Sequence, residues 1–138
     1  TAMKVGIMLI THGQIGGALL DSAITVLDVH PLPTRVLTVN SDCDPDKTLD
    51  AAEQALDELN CGDGVLVLTD LYGSTPSNIA CRLRRHRHVR VVSGINLPML
   101  IRVLNYPGLD LDSLKEKALS GGRDGVLSCT TEDRTHAG

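Results

Sequence analysis

Two apolar runs in this sequence end in side chains that can do chemistry. Val5-Gly6-Ile7-Met8-Leu9-Ile10-Thr11 stops at His12-Gly13, and Val65-Leu66-Val67-Leu68-Thr69 stops at Asp70. Short apolar runs rich in branched side chains read as buried strands, so both groups fall at strand ends. An imidazole held by a carboxylate through one nitrogen can attack phosphorus through the other. His12 is the candidate nucleophile, and Asp70 its orienting partner. A phosphoryl group on His12 would also need donors. Five residues after Asp70, Thr75-Pro76 reads as a helix start, with Thr75 as N-cap and Pro76 as the first helical residue. Such a start offers backbone N–H groups, a positive dipole end and a hydroxyl. The preceding Gly73-Ser74 turn can bring backbone close to a phosphate. Thr11, Asp42 and Asn96 also fall in or beside loops after strands and form a candidate rim.

The elements that must position these groups alternate in type. After Gly13, Ile15, Leu19 and Ala23 fall on one helical stripe, with Leu20, Ile24 and Leu27 beside it. His30-Pro31-Leu32-Pro33 stops that helix. Thr34 to Asn40 reads as a second strand. Asp44 caps a helix opened by Pro45, with Leu49, Ala52, Leu56 and Leu59 as its buried stripe and Gly62 as its stop. The third strand is apolar on both faces, as parallel strands are. The helix from Pro76 runs to about Arg85, and Val89 to Ser93 is a fourth strand. Pro98 opens a short helix carrying Met99, Leu100, Val103 and Leu104, broken at Tyr106-Pro107-Gly108. A helix from about Ser113 to Leu119 follows, and Gly121-Gly122-Arg123 punctuates it. Val126 to Thr130 has a short strand pattern. Thr131 to Gly138 reads as a polar, frayed tail.

This order predicts an α/β fold: a doubly wound open sheet of four parallel strands flanked by helices, plus a short C-terminal strand. Right-handed crossovers bring every strand-to-helix loop to one edge, where open α/β sheets bind their ligands. His12, Asp42, Asp70, Thr75 and Asn96 converge there.

The 138 residues suit one domain, taken as 3–130 with 131–138 as its tail. Met3 is read as the initiator, with Thr1 and Ala2 as additions before it. Two Tyr are the only aromatics, so the core must come from Leu, Ile, Val and Ala. No aromatic platform exists for stacking bases, and the net charge of -4 argues against nucleic acid as the partner. Cys43, Cys61, Cys81 and Cys129 form no CxxC pair and read as free thiols of a reducing cytoplasm. No signal peptide or run of transmembrane length is visible. The expected location is cytoplasmic, peripheral to a membrane permease at most.

Several chemistries are excluded by pattern. His12-Gly13-Gln14-Ile15-Gly16-Gly17 is neither GxGxxG nor a P-loop. Asp70 stands where a phosphoreceiver resembling the flavodoxin-like response regulators has its aspartate, but the acidic pair such receivers need after the first strand is replaced by Thr11-His12. A metal needs three or four ligands; His12, Asp42 and Asp70 supply three only on paper. His86-Arg87-His88 lies among Arg82, Arg84, Arg85 and Arg90, which disfavour a cation. It also lies about 15 Å from the chemical edge, at the far end of the helix from Pro76. It reads as a cationic helix end complementing the macrodipole. No metal or cofactor is called for.

Four ordered motifs carry a resemblance: Thr11-His12-Gly13; Asp70-Leu71-Tyr72-Gly73-Ser74-Thr75-Pro76-Ser77-Asn78; Gly94-Ile95-Asn96-Leu97-Pro98-Met99-Leu100; and Gly122-Arg123-Asp124-Gly125-Val126. From Met3 to about Thr130 the chain resembles the mannose-type (mannose/fructose/sorbose) enzyme IIA components of the bacterial phosphoenolpyruvate-dependent sugar phosphotransferase system. The resemblance implies a phosphocarrier that accepts a phosphoryl group on His12 from the carrier HPr and passes it to an enzyme IIB. Asp70 would orient His12, and Thr75 would contact the phosphoryl group. It also implies a homodimer that exchanges the last strand, here Val126 to Thr130 after a Gly121-Gly122 hinge. The family often has Gly-Gly-Ser where this chain has Gly73-Ser74-Thr75, and threonine keeps the hydroxyl. No IIB domain follows, so that partner is expected on a separate chain.

Three other functions fit the same residues. One is a regulatory phosphohistidine module, another a phosphoryl donor to a dihydroxyacetone kinase. The third is a small hydrolase or lyase using His12 and Asp70. A hydrolase should have a deep pocket. A phosphocarrier should present His12 where a protein can reach it.

Overall fold

The computed structural model describes residues 4–28 and 32–130. Four strands form one sheet: β1 (Gly6–His12), β2 (Thr34–Val39), β3 (Val65–Thr69) and β4 (Val89–Val92), in the order β2-β1-β3-β4. Every pairing is parallel, with Ile10 facing Thr69 across β1 and β3, and His12 facing Val39 across β1 and β2. Five helices cover the sheet: α1 (Ile15–Leu27), α2 (Pro45–Leu59), α3 (Thr75–Leu83), α4 (Leu97–Leu104) and α5 (Leu111–Asp124).

The strands are apolar on both sides because both sides are covered. Ile7, Leu9, Leu66 and Leu68 join Ala23, Leu100, Val103, Leu114 and Ala118 in a core under α1, α4 and α5. Met8, Ile10, Val65 and Val67 join Leu49, Ala52, Leu56, Ile79 and Leu83 under α2 and α3. All of β3 is buried, and each such aliphatic side chain contributes about 1.5–3 kcal/mol. The doubly wound sheet is as the sequence predicts.

Local signals account for most helix boundaries. The Asp44 carboxylate accepts from Asp46 N–H at 3.0 Å, and Pro45 opens α2. Gln14 makes no side-chain cap on α1; instead Thr11 Oγ1 accepts from Gly16 N–H at 2.8 Å. α1 ends at Leu27, with Asp28 in the left-handed region. His30 and Pro31, half of the expected stop, lie outside the described residues, as does the expected 131–138 tail. Ile15, placed on the buried stripe, is exposed.

Three expectations are corrected. The N-cap of α3 is Ser74, and Thr75 is its first helical residue. The last helix does not stop before Gly121-Gly122 but runs through both to Asp124. These glycines are no hinge: a Cβ at Gly121 would stand 2.8 Å from Arg102 Cβ, and one at Gly122 2.8 Å from Met99 Cε. Close approach of α5 to α4 overrides the low helix propensity of glycine. Finally, among the described residues 126–129 form no strand with the sheet of the chain. Among the described residues no helix is long and apolar enough to cross a membrane.

Candidate active site

β1 and β3 are sheet neighbours, so His12 and Asp70 emerge side by side where the winding of the sheet reverses. Asp70 Oδ2 accepts from the His12 main-chain N–H at 2.9 Å and contacts its Nδ1 at 2.8 Å. Oδ1 accepts from Leu71 N–H at 2.8 Å. An ionised carboxylate can only accept, so Nδ1 carries the hydrogen, which in the neutral ring leaves the lone pair on Nε2. Partial burial pushes the Asp70 carboxyl up; the His12 main-chain N–H, the His12 ring and the Leu71 N–H outweigh it together and hold it below its ordinary value. The Asp70 side chain is only 11% exposed, whereas that of His12 is 48% exposed.

His12 opens onto a cavity of about 650 Å³ lined by Gly13, Val39, Asn40, Ser41, Cys43, Pro45 and Thr75. Gly13 makes its turn with φ +46° and donates to Val39 O at 3.1 Å. Thr75 is exposed at the first helical position of α3. Pro76 has no N–H and the Asn78 N–H donates to Ser74 O, so the first turn of α3 leaves the Thr75 and Ser77 main-chain N–H groups without intrahelical acceptors, and of these residues Thr75 lines the wall shared with His12. This arrangement can hold an anion beside a nucleophilic nitrogen.

A family model described as "PTS system fructose IIA component" matches residues 6–118. The chain belongs to the mannose/fructose-type enzyme IIA family of the sugar phosphotransferase system. It is 30% identical over 127 residues to the "PTS system mannose-specific EIIAB component" of Escherichia coli (strain K12), covering 90% of this chain and 39% of that protein. The chain thus spans well under half the length of the curated relatives it matches so. Among solved structures, it superposes on the mannose/sorbose specific IIA subunit from Enterococcus faecalis with a TM-score of 0.82 at 26% identity, covering 93% and 96% of the two chains. The fold is also that of the EIIA component from Streptococcus agalactiae, at a TM-score of 0.77 and 23% identity, over 91% and 97%.

The other residues singled out in this IIA chain are placed less simply. Gly73 and Ser74 are not among those lining the cavity. Gly73 has φ +85°, and its N–H donates to Ser77 Oγ at 3.3 Å; the Ser74 hydroxyl donates to Leu71 O at 2.5 Å. Both shape the turn that delivers Thr75. Thr11 is wholly buried and holds the start of α1. Asn96 does not line the His12 cavity: its Oδ1 accepts from Met99 N–H at 2.9 Å, capping α4, and its Nδ2 donates to Gly122 O at 3.1 Å. Asp42 is exposed and does not line the cavity, although its neighbours Ser41 and Cys43 do. Among the described residues no three His, Cys, Asp or Glu side chains gather to hold a metal, so the His12-Asp42-Asp70 trio does not form. The sequence reading missed Asn40, Ser41, Cys43 and Pro45. Their one signal was position: they follow β2, which pairs with β1.

Proposed function

We propose that this IIA chain is a cytoplasmic phosphocarrier that accepts a phosphoryl group from HPr on His12 Nε2 and hands it to an enzyme IIB. The lone pair of Nε2 attacks phosphorus, the bond from phosphorus to the donor nitrogen breaks, and that electron pair returns to the donor. Asp70 keeps the hydrogen on Nδ1 and offsets the positive charge that grows on the ring. The Thr75 hydroxyl and the main-chain N–H groups of Thr75 and Ser77 receive the phosphoryl oxygens. Transfer to the IIB nucleophile repeats the step with His12 as the leaving group.

The observation that carries this reading is the Asp70–Nδ1 hydrogen bond combined with a half-exposed ring. The tautomer leaves Nε2 nucleophilic, and the open face lets a macromolecular donor reach it. We also propose that residues 126–130 pair with a second copy. Val126 and Leu127 are exposed apolar residues, and β4 lies at an edge of the sheet.

The test is incubation with enzyme I, HPr and labelled phosphoenolpyruvate. Label that is stable to base and lost in acid is expected on the wild type, and none on His12→Gln. Normal labelling of His12→Gln would remove His12 from the role.

A further inference from the structure

β1 lies between β2 and β3, so His12 has a neighbour on each side. On the β3 side Asp70 takes its Nδ1. On the other side His12 pairs with Val39, the last residue of β2, and Gly13 N–H donates to Val39 O at 3.1 Å. Beyond Val39 the chain turns, with Cys43 N–H donating to Asn40 O at 3.1 Å. Asn40, Ser41 and Cys43 of this turn line the same cavity of about 650 Å³ as His12 and Thr75.

Asn and Ser are common in turns because their side chains bond nearby backbone. Asn60 does so in this chain, its Oδ1 accepting from Gly62 N–H at 2.9 Å. The side chains of Asn40 and Ser41 make no such bond, nor any other among the described residues, and both residues are exposed. The two acids of the loop are kept off the wall. Asp44 accepts from Asp46 N–H to cap α2, and Asp42 does not line the cavity. Among the described residues no Lys or Arg lines it either. A phosphoryl group brings roughly two negative charges, so neutral donors must meet it. Cys43 is a weak donor, half-buried against the core under α2 and α3. That leaves Asn40 Nδ2 and the Ser41 hydroxyl to act with the Thr75 hydroxyl.

We propose, on the reading that His12 carries the phosphoryl group, that Asn40 Nδ2 and the Ser41 hydroxyl donate to its oxygens from the β2 side, as Thr75 does from the α3 side. A group held from both sides is stabilised on His12 itself, and not only while a donor protein is docked.

The test is an equilibrium. Purified phospho-HPr carrying labelled phosphate is mixed with the full chain, without enzyme I, and the label on each protein is measured once it stops moving. Contacts made only while the two proteins are docked cancel from this ratio, because both end states are free proteins. Asn40→Ala/Ser41→Ala should shift the ratio about tenfold toward HPr while melting normally. Asn40→Asp, which puts a carboxylate where a donor was, should shift it further than Asn40→Ala. Asp42→Ala, in the same turn but off the wall, should give no shift toward HPr. An unmoved ratio in the double variant would overturn the proposal; with a slowed rate, it would mean that the turn touches only HPr. An equal shift by Asp42→Ala would also overturn it, by assigning the effect to the shape of the turn. A wild type that takes no label on His12 would instead remove the phosphocarrier reading, and this cradle with it.

Discussion

A single oxygen of Asp70, Oδ2, receives both the main-chain N–H and the ring Nδ1 of His12, at 2.9 and 2.8 Å. One carboxylate thus fixes where the histidine leaves β1, how its ring is turned and which nitrogen is free. Asp70→Asn keeps the size but offers an NH₂ group where one oxygen was. If that group faces Nδ1, the other tautomer is favoured and Nε2 loses its lone pair. We expect transfer from HPr to fall 10–100-fold, about 1.4–2.7 kcal/mol by rate arithmetic. An unchanged rate in a folded variant would leave Asp70 as a strand terminus only.

The same carboxylate makes stability depend on acid. Its folded pKa lies below the ordinary 3.8. The ionised form therefore contributes stability that is fully present above the ordinary value and is lost as pH falls through the folded value. Denaturant melts of wild type and Asp70→Ala should differ by a constant amount at neutral pH. The two should converge below the folded pKa. A gap that persists in strong acid would assign it to packing rather than charge.

Glycines in and beside the helices give a contrast in sign. A Cβ at Gly125 would lie 2.3 Å from the rigid ring of Pro98, and one at Gly17 would meet nothing within 4 Å. Gly125→Ala should cost about 1–3 kcal/mol, whereas Gly17→Ala, inside α1, should gain up to about 1 kcal/mol. Gly122→Ala should cost less than Gly125→Ala, since only the flexible tip of Met99 must move. Thermal melts of the three variants order them, and a neutral Gly125→Ala would refute the close-packing account of the α4–α5 contact.

Thr69 Oγ1 is buried without a hydrogen-bond partner among the described residues. An isosteric Thr69→Val should raise stability by roughly 1 kcal/mol, because it removes a desolvated hydroxyl. A loss of stability in the melt would mean that the hydroxyl is in use.

Leu71 and Tyr72, 64% and 79% exposed, directly follow Asp70. Tyr72→Ala should leave the melt unchanged and raise the KM for HPr several-fold, an effect of about 1 kcal/mol or more. Equal KM values would place the partner elsewhere on the rim.

Much of this was legible in the chain because parallel strands are continuous apolar runs. The polar residues that end them, His12 and Asp70, must then meet at one edge. The β2–α2 loop was not legible, because an irregular loop has no periodicity to say which residues turn toward the cavity. Asp42 reads as a rim group from its place in that loop, while Ser41 and Cys43 line the wall. Thr75 was assigned one position early, since Ser74 and Thr75 are both good caps and only the backbone decides between them. Asn96 reads as a rim residue by position, whereas its side chain caps α4 and ties α5 to it. Gly121-Gly122 read as a break because local propensity favours one. The fit of α5 on α4 is a tertiary fact that propensity does not contain.

The central claim is that phosphorus bonds to Nε2 of His12. NMR of the ¹⁵N-labelled chain, phosphorylated through enzyme I and HPr, reads the bonded nitrogen directly from its coupling to ³¹P. We expect the coupling at Nε2 of His12, with Nδ1 still protonated against Asp70. Phosphorus on Nδ1, or on any of the other four histidines, would contradict it.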